Sequence, residues 1–195
     1  MVNLSIHELV GMLHRVHNMP LEAPFTMAVA LMVRTHNTGN KSLWFGNGGS
    51  ASLADHVVGE LVGRFRINER PPLAALSLTC PSVITALAND YGYENIYSRQ
   101  VTALGGEGDV AVGLSTSGRS PNVIKALQEA RELGMVTVAF IGPPSMADEW
   151  LMYRCSCVVA ADLSVTELVQ EQHMKWAHVL CGLVEAVLFG SGSQT

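Results

Sequence analysis

The chain has 195 residues, 48% of them apolar and 15% charged, with a formal net charge of −5. That suits one α/β domain with a substantial core, and the acidic balance without a basic run argues against a nucleic-acid surface. No stretch of 18 apolar residues suggests a membrane span, the first residues lack the pattern of a signal peptide, and four cysteines (Cys80, Cys155, Cys157, Cys181) fit reduced packing residues of a cytoplasmic protein better than a disulfide scaffold or zinc ribbon.

Ser5-x-x-Glu8 reads as a capping box, and Ile6, Leu9, Val10 and Leu13 give the helix it opens one apolar face. Pro20 and Pro24 punctuate the chain before a second helix that runs to about His36, ahead of Gly39. Strand and helix then alternate. Strands are predicted at 42–45, 73–78, 109–114, 136–141 and 155–159, and helices at 50–63, 82–88, 96–104, 121–133 and 164–189. Ser164-x-x-Glu167 is a second capping box, marking the start of the last helix. The alternation predicts a doubly wound, three-layer αβα sandwich on a five-stranded parallel sheet. Residues 1–38 form a helical arm, 39–190 the domain, and 191–195 a disordered Gly/Ser tail.

Two loops stand out. Gly46-Asn47-Gly48-Gly49-Ser50-Ala51 joins a buried strand to a helix, which gathers backbone N–H groups and a helix N-terminus around one point, as a phosphate needs. The same residues fit the dinucleotide fingerprint G-x-G-x-x-A. That reading requires an acid about 20 positions on, at the end of the second strand. Glu69 sits instead in a Pro/Arg loop, and the next strand ends in Leu78-Thr79-Cys80, so a nicotinamide role is disfavoured. The second loop, Ser115-Thr116-Ser117-Gly118-Arg119-Ser120-Pro121-Asn122, follows another buried strand and places Pro at the first helical position. A run of hydroxyls this dense reads as an anion site more readily than as a simple cap.

Behind the first loop, His56 and Glu60 are spaced i, i+4 and share a helix face, a proton-handling pair beside an anion cradle. On the last helix Gln170 and His173 share a face, whereas His178 is eight residues from Gln170, about 12 Å along the axis. One helix cannot easily bring both to one small ion. If both act at one centre, helices from two subunits supply them. His7, His14, His17 and His36 have no such context and read as surface or packing residues.

At these residues the chain resembles the sugar isomerase (SIS) domain proteins of the phosphoheptose isomerase family, from about Leu43 to Leu188. The resemblance is carried by Gly46–Ala51, His56-x-x-x-Glu60-Leu-Val-Gly-Arg64-Phe65, Ala88-Asn-Asp-Tyr-Gly-Tyr-Glu94, Ser98-Arg-Gln-Val101, Gly108-Asp-Val110, Ser115–Asn122 and Gln170-Glu-x-His173-x-x-x-x-His178. It implies conversion of sedoheptulose 7-phosphate to D-glycero-D-manno-heptose 7-phosphate, the first step toward the ADP-activated heptose of lipopolysaccharide. It also implies a homotetramer with sites shared between subunits. By matching position, Gly48, Gly49, Ser50, Ser115, Thr116, Ser117 and Ser120 would hold phosphate or sugar. Asn47, Arg64, Asn89, Asp90 and Gln170 would contact the sugar chain. Glu60 would be the general base and His178 the general acid, and zinc can be carried at the positions of His56, Glu60, Gln170 and His178.

Ketose–aldose isomerisation moves a proton between C1 and C2 through an enediol, so it needs a base near carbon, an acid at the carbonyl oxygen and exclusion of water. A carboxylate tightly bound to zinc is a poor free base, so the metal either shifts in turnover or acts as a Lewis acid while another group moves the proton. The chain departs from the family pattern at Arg119, where asparagine is common, at Pro143-Pro144-Ser145 in place of a Gly-Gly turn, and at Leu168 in place of arginine. These departures bear on substrate identity more than on fold. The rival class is a catalytically silent SIS protein that binds a sugar phosphate or a protein such as a replication initiator. Those members typically lose the carboxylate at the position of Glu60, which this chain keeps together with Gln170 and His178. A sugar-phosphate-sensing regulator would need a DNA-binding segment, and none is seen.

Overall fold

A computed structural model describes residues 23–190. The expected first helix with its Ser5 box and the expected disordered tail at 191–195 lie outside those residues. Helix α1 (Ala23–Asn37) leads into β1 (Ser42–Gly46), α2 (Gly49–Val62), β2 (Ala75–Ser77), α3 (Pro81–Tyr91), α4 (Ser98–Leu104), β3 (Val110–Ser115), α5 (Pro121–Glu132), β4 (Val136–Ile141), α6 (Glu149–Arg154), β5 (Cys157–Ala160) and α7 (Thr166–Phe189). The five strands are all parallel, in the order β2-β1-β3-β4-β5, as the alternating pattern predicts.

The strands alternate their side chains between two cores. Trp44, Val112, Leu114, Val138 and Phe140 point to the side covered by α1, α2 and α7. Leu43, Phe45, Ala111, Ala139 and Ile141 point to the side covered by α4, α5 and α6. Both faces of the sheet are therefore dry, which is why β1 and β3 are buried along their whole length. Each buried Val, Leu, Ile or Phe among them contributes about 1.5–3 kcal/mol.

The differences from expectation are local. The strand expected at 73–78 pairs only over Ala75–Ser77, at the sheet edge behind Pro71-Pro72, where proline offers no N–H to a ladder. The strand expected at 155–159 starts at Cys157, because the chain before it forms α6, a short helix absent from the sequence reading. Asp148 caps α6, its carboxylate accepting the Trp150 N–H at 2.8 Å. The Ser164 capping box does not form: Val165 holds the cap position of α7 and no side chain caps it. Cys157 and Cys181 are buried as expected, but Cys80 is exposed at the start of α3, and all four cysteines are free. Among the described residues no helix is long and apolar enough to cross a membrane.

Candidate active site

The sheet order reverses between β1 and β3, and in open parallel sheets the crevice beyond the carboxyl ends at such a reversal is where ligands bind. Gly46 pairs with Leu114, so the loop after β1 and the loop after β3 begin side by side. These are the two loops singled out in the sequence. Asn47 and Asn122 join them by a reciprocal pair of amide hydrogen bonds, Asn47 donating at 2.9 Å and Asn122 at 2.8 Å. Asn122 is buried, also accepts the Val123 N–H, and was not singled out as a site residue although its motif was. Two tyrosines add to this joint. The Tyr93 hydroxyl donates to Asn47 at 3.2 Å, and the Tyr97 hydroxyl donates to the Gly46 carbonyl.

At neither helix N-terminus at this crevice does the cap residue's own side chain bond the helix. Gly48 caps α2 with φ of 54°, a left-handed conformation that glycine adopts without strain. Ser120 caps α5, but its hydroxyl turns to Ser115 at 3.0 Å instead of to the helix. Ser117 accepts the Arg119 N–H, and Thr116 is half-buried beside it. The loop is seated from below, since a Cβ on Gly142 would lie 2.1 Å from the Thr116 carbonyl oxygen. Ser50 is buried at the start of α2 and Gly49 is exposed there. Gln170 lies over Gly49: a Cβ at that position would be 2.7 Å from its amide nitrogen.

Farther along α2, His56 faces His178 of α7, with their Nε2 atoms 2.9 Å apart. Glu60 Oε1 stands 3.6 Å from His56 Nε2. The Phe65 ring stacks on His178, with centroids 5.9 Å apart and planes 16° apart. Glu60 and His178 are half-buried and His56 is exposed, so the trio is open on one side. His173, one turn from Gln170, is in the core, its Nε2 3.1 Å from the Ile141 carbonyl and its ring between Phe140 and Trp176.

Two sets of the expected residues are thus each brought together: Asn47, Gly48, Gly49, Ser50, Ser115, Thr116, Ser117, Ser120 and Gln170 around the crevice, and His56, Glu60 and His178 on α2 and α7. Arg64 is exposed past the end of α2, and Asn89 and Asp90 are exposed at the end of α3, bonded to each other at 2.7 Å. Two imidazoles and a carboxylate are donor types zinc takes. In this single chain the set is not closed: among the described residues no group of three His, Cys, Asp or Glu side chains is placed to hold one ion, and the Gln170 amide lies at Gly49, away from the trio.

The SIS domain model matches residues 6–142. A phosphoheptose isomerase of Trichlorobacter lovleyi is 46% identical over 171 residues, covering 87% of this chain and 85% of that protein. The solved structure of a phosphoheptose isomerase from Francisella tularensis is 33% identical with a TM-score of 0.81, covering 90% of this chain and 91% of that one. The corresponding structure from Neisseria gonorrhoeae gives 33% identity and a TM-score of 0.78, covering 92% and 94%. With a crevice built from its two glycine- and serine-rich loops and a His/Glu/His trio behind it, the chain belongs to the SIS domain family, among its phosphoheptose isomerases.

Proposed function

We propose that this chain interconverts sedoheptulose 7-phosphate and D-glycero-D-manno-heptose 7-phosphate. The observation that carries the reading is the pairing of two helix N-termini without side-chain caps, lined by Ser50, Ser115, Thr116, Ser117 and Ser120, with a separate acid–base trio on the same helix. The cradle and the trio are spaced for such a substrate. Its phosphate is on C7 and its reacting carbons are C1 and C2. Gly49 and His56 are seven residues apart on α2, about 10 Å along the axis. The phosphate would take N–H and hydroxyl donors at the cradle, while Asn47 and Gln170, with Arg64, Asn89 and Asp90 at the rim, would hold the hydroxyls between.

Glu60 would remove the proton from one carbon and return it to the neighbouring one, and His178 would give a proton to the carbonyl oxygen and take one back from the adjacent hydroxyl. Each step leaves the composition unchanged, as isomerisation requires. His56, Glu60, His178 and Gln170 are proposed to hold Zn2+ at rest, and Glu60 and His178 would move protons only when free of it. Closing that set is a reason to propose a homotetramer with sites shared between subunits. A second support is apolar surface on the two helices that carry the trio: Val62 of α2 and Leu183 and Val187 of α7 are all exposed. A cytoplasmic location and a role in lipopolysaccharide heptose supply follow from the same reading.

The non-catalytic alternative is disfavoured by the intact Glu60 beside His56 and His178. The test is direct: purified chain is incubated with sedoheptulose 7-phosphate, with and without zinc, and the aldoheptose product is followed. Binding without interconversion under both conditions would favour the alternative.

A further inference from the structure

A fully buried ion pair lies outside the chemistry just described. Arg70, in the loop after α2, meets Glu185 of α7 at 2.7 Å, and their side chains are 1% and 2% exposed. The Glu185 carboxylate also accepts the backbone N–H groups of Phe65 at 3.1 Å, Arg66 at 2.7 Å and Ile67 at 3.0 Å. Arg70 Nη1 donates to the Pro71 carbonyl at 2.9 Å and its Nη2 to the backbone carbonyl of Glu60 at 2.6 Å. Phe65, held by this carboxylate, stacks on His178 and packs against α7 at Gly182, where a Cβ would come within 3.3 Å of its ring.

Burying two charges costs desolvation energy, and well-packed apolar residues often replace such a pair without loss of stability. What apolar residues cannot supply is direction. The Arg70 fork fixes the main chain of Glu60, and the Glu185 carboxylate fixes the loop whose ring backs His178. Burial alone would raise the Glu185 carboxyl pKa, but the Arg66 N–H, the Arg70 guanidinium and the Phe65 and Ile67 N–H groups outweigh it and hold it below the ordinary value. The carboxylate therefore stays charged in place.

We propose that Arg70 and Glu185 are positioning residues for the isomerisation, setting the spacing between Glu60 and His178 through the backbone of one and the ring stacked on the other. The inference rests on the assignment of Glu60 and His178 as base and acid. The phosphate cradle begins at Gly49, eleven residues before Glu60 or about 16 Å along α2, and none of the contacts of this ion pair reaches it. Loss of the pair should therefore slow turnover without weakening phosphate binding.

The test uses the full chain carrying Arg70→Lys or Glu185→Gln. Arg70→Lys keeps a cation for Glu185 but cannot span to the Glu60 carbonyl at the same time. In each variant, kcat should fall at least about tenfold, with the Kd and site number for the reduced, non-isomerisable heptitol 7-phosphate unchanged within about twofold. Lys41→Met serves as control. It cuts an ion pair with Asp109 at the amino ends of β1 and β3, and kcat should stay near wild type. A kcat within about twofold of wild type in folded Arg70→Lys and Glu185→Gln would overturn the proposal. So would turnover and heptitol sites lost in equal proportion, or failure of both variants to fold, since the pair would then only hold the fold. An inactive wild type, or an active Glu60→Gln, would instead count against the isomerase assignment itself.

Discussion

His56 and His178 stand 122 positions apart in the chain and meet Nε2 to Nε2 at 2.9 Å, with Glu60 one turn beyond His56. A contact this short between two imidazoles is a hydrogen bond, so one ring donates and the other accepts. It aligns His178 from one side while Phe65 stacks on it from another. His178→Asn should lower kcat by at least about 100-fold, the range for losing a general acid. His56→Ala, which removes only the alignment in the absence of metal, should cost less. Equal losses in zinc-depleted protein would contradict the division of roles.

Gly49→Ala separates site geometry from folding. The three atoms nearest the added Cβ all belong to the end of the Gln170 side chain, which can swing away. Stability should change by less than about 1 kcal/mol, while KM for the sugar phosphate rises as Gln170 leaves its place. Denaturant titration and steady-state kinetics on the same sample check both. An unchanged KM would mean that Gln170 does not touch substrate from this position.

The Asn47–Asn122 joint makes a different prediction. Asn122→Ala strands the Asn47 amide and the Val123 N–H, which should cost about 1–3 kcal/mol. Asn122→Asp can still accept from both but has nothing to donate to Asn47, and it places a negative charge beside the anion cradle. It should therefore raise KM more than Asn122→Ala does while destabilising the fold less. The opposite ranking in KM would remove the cradle from this crevice.

Acid stability should carry the mark of the buried histidines. Burial lowers the His173 pKa from 6.5 to about 4, against the opposing contact with the Ile141 carbonyl. His36 is lowered to about 4 by burial and then by the charge of Arg70. Below pH 6.5 the unfolded chain binds protons that the folded chain refuses until about pH 4, so this stability is full above the window and lost as pH falls through it. At about 1.4 kcal/mol per unit, each histidine contributes a loss of about 3 kcal/mol or less. Unfolding free energies at about pH 7 and about pH 5 should show the decrease, and His173→Gln, which retains a donor for Ile141 and does not titrate, should shrink it. An unaltered pH dependence in His173→Gln would exclude His173 as a source.

The parts of this molecule legible in its sequence are those encoded locally. The Gly46–Ala51 and Ser115–Asn122 loops, the i, i+4 pair His56/Glu60 and the parallel alternation all declare themselves within a few residues, and the structure places each as read. What stayed hidden depends on contacts between distant residues. Glu185 and Arg70 are 115 positions apart, and nothing on α7 distinguishes that glutamate from a solvated one until the loop folds over it. Asn122 looks like an ordinary first-turn residue until Asn47 arrives opposite. The Ser164 box failed for a converse reason: the motif is local, but α7 starts two residues later, at Thr166. Gln170 lies at Gly49 and His178 at His56, so within this chain the two side chains do not meet.

The measurement that bears most directly on the central claim is the interconversion of sedoheptulose 7-phosphate and D-glycero-D-manno-heptose 7-phosphate by the purified chain, run beside Glu60→Gln. Wild type should give a product signal, and a folded Glu60→Gln that still binds the sugar phosphate should give none. Equal activity in both, or a wild type that binds the substrate and leaves it unchanged with and without zinc, would contradict that claim.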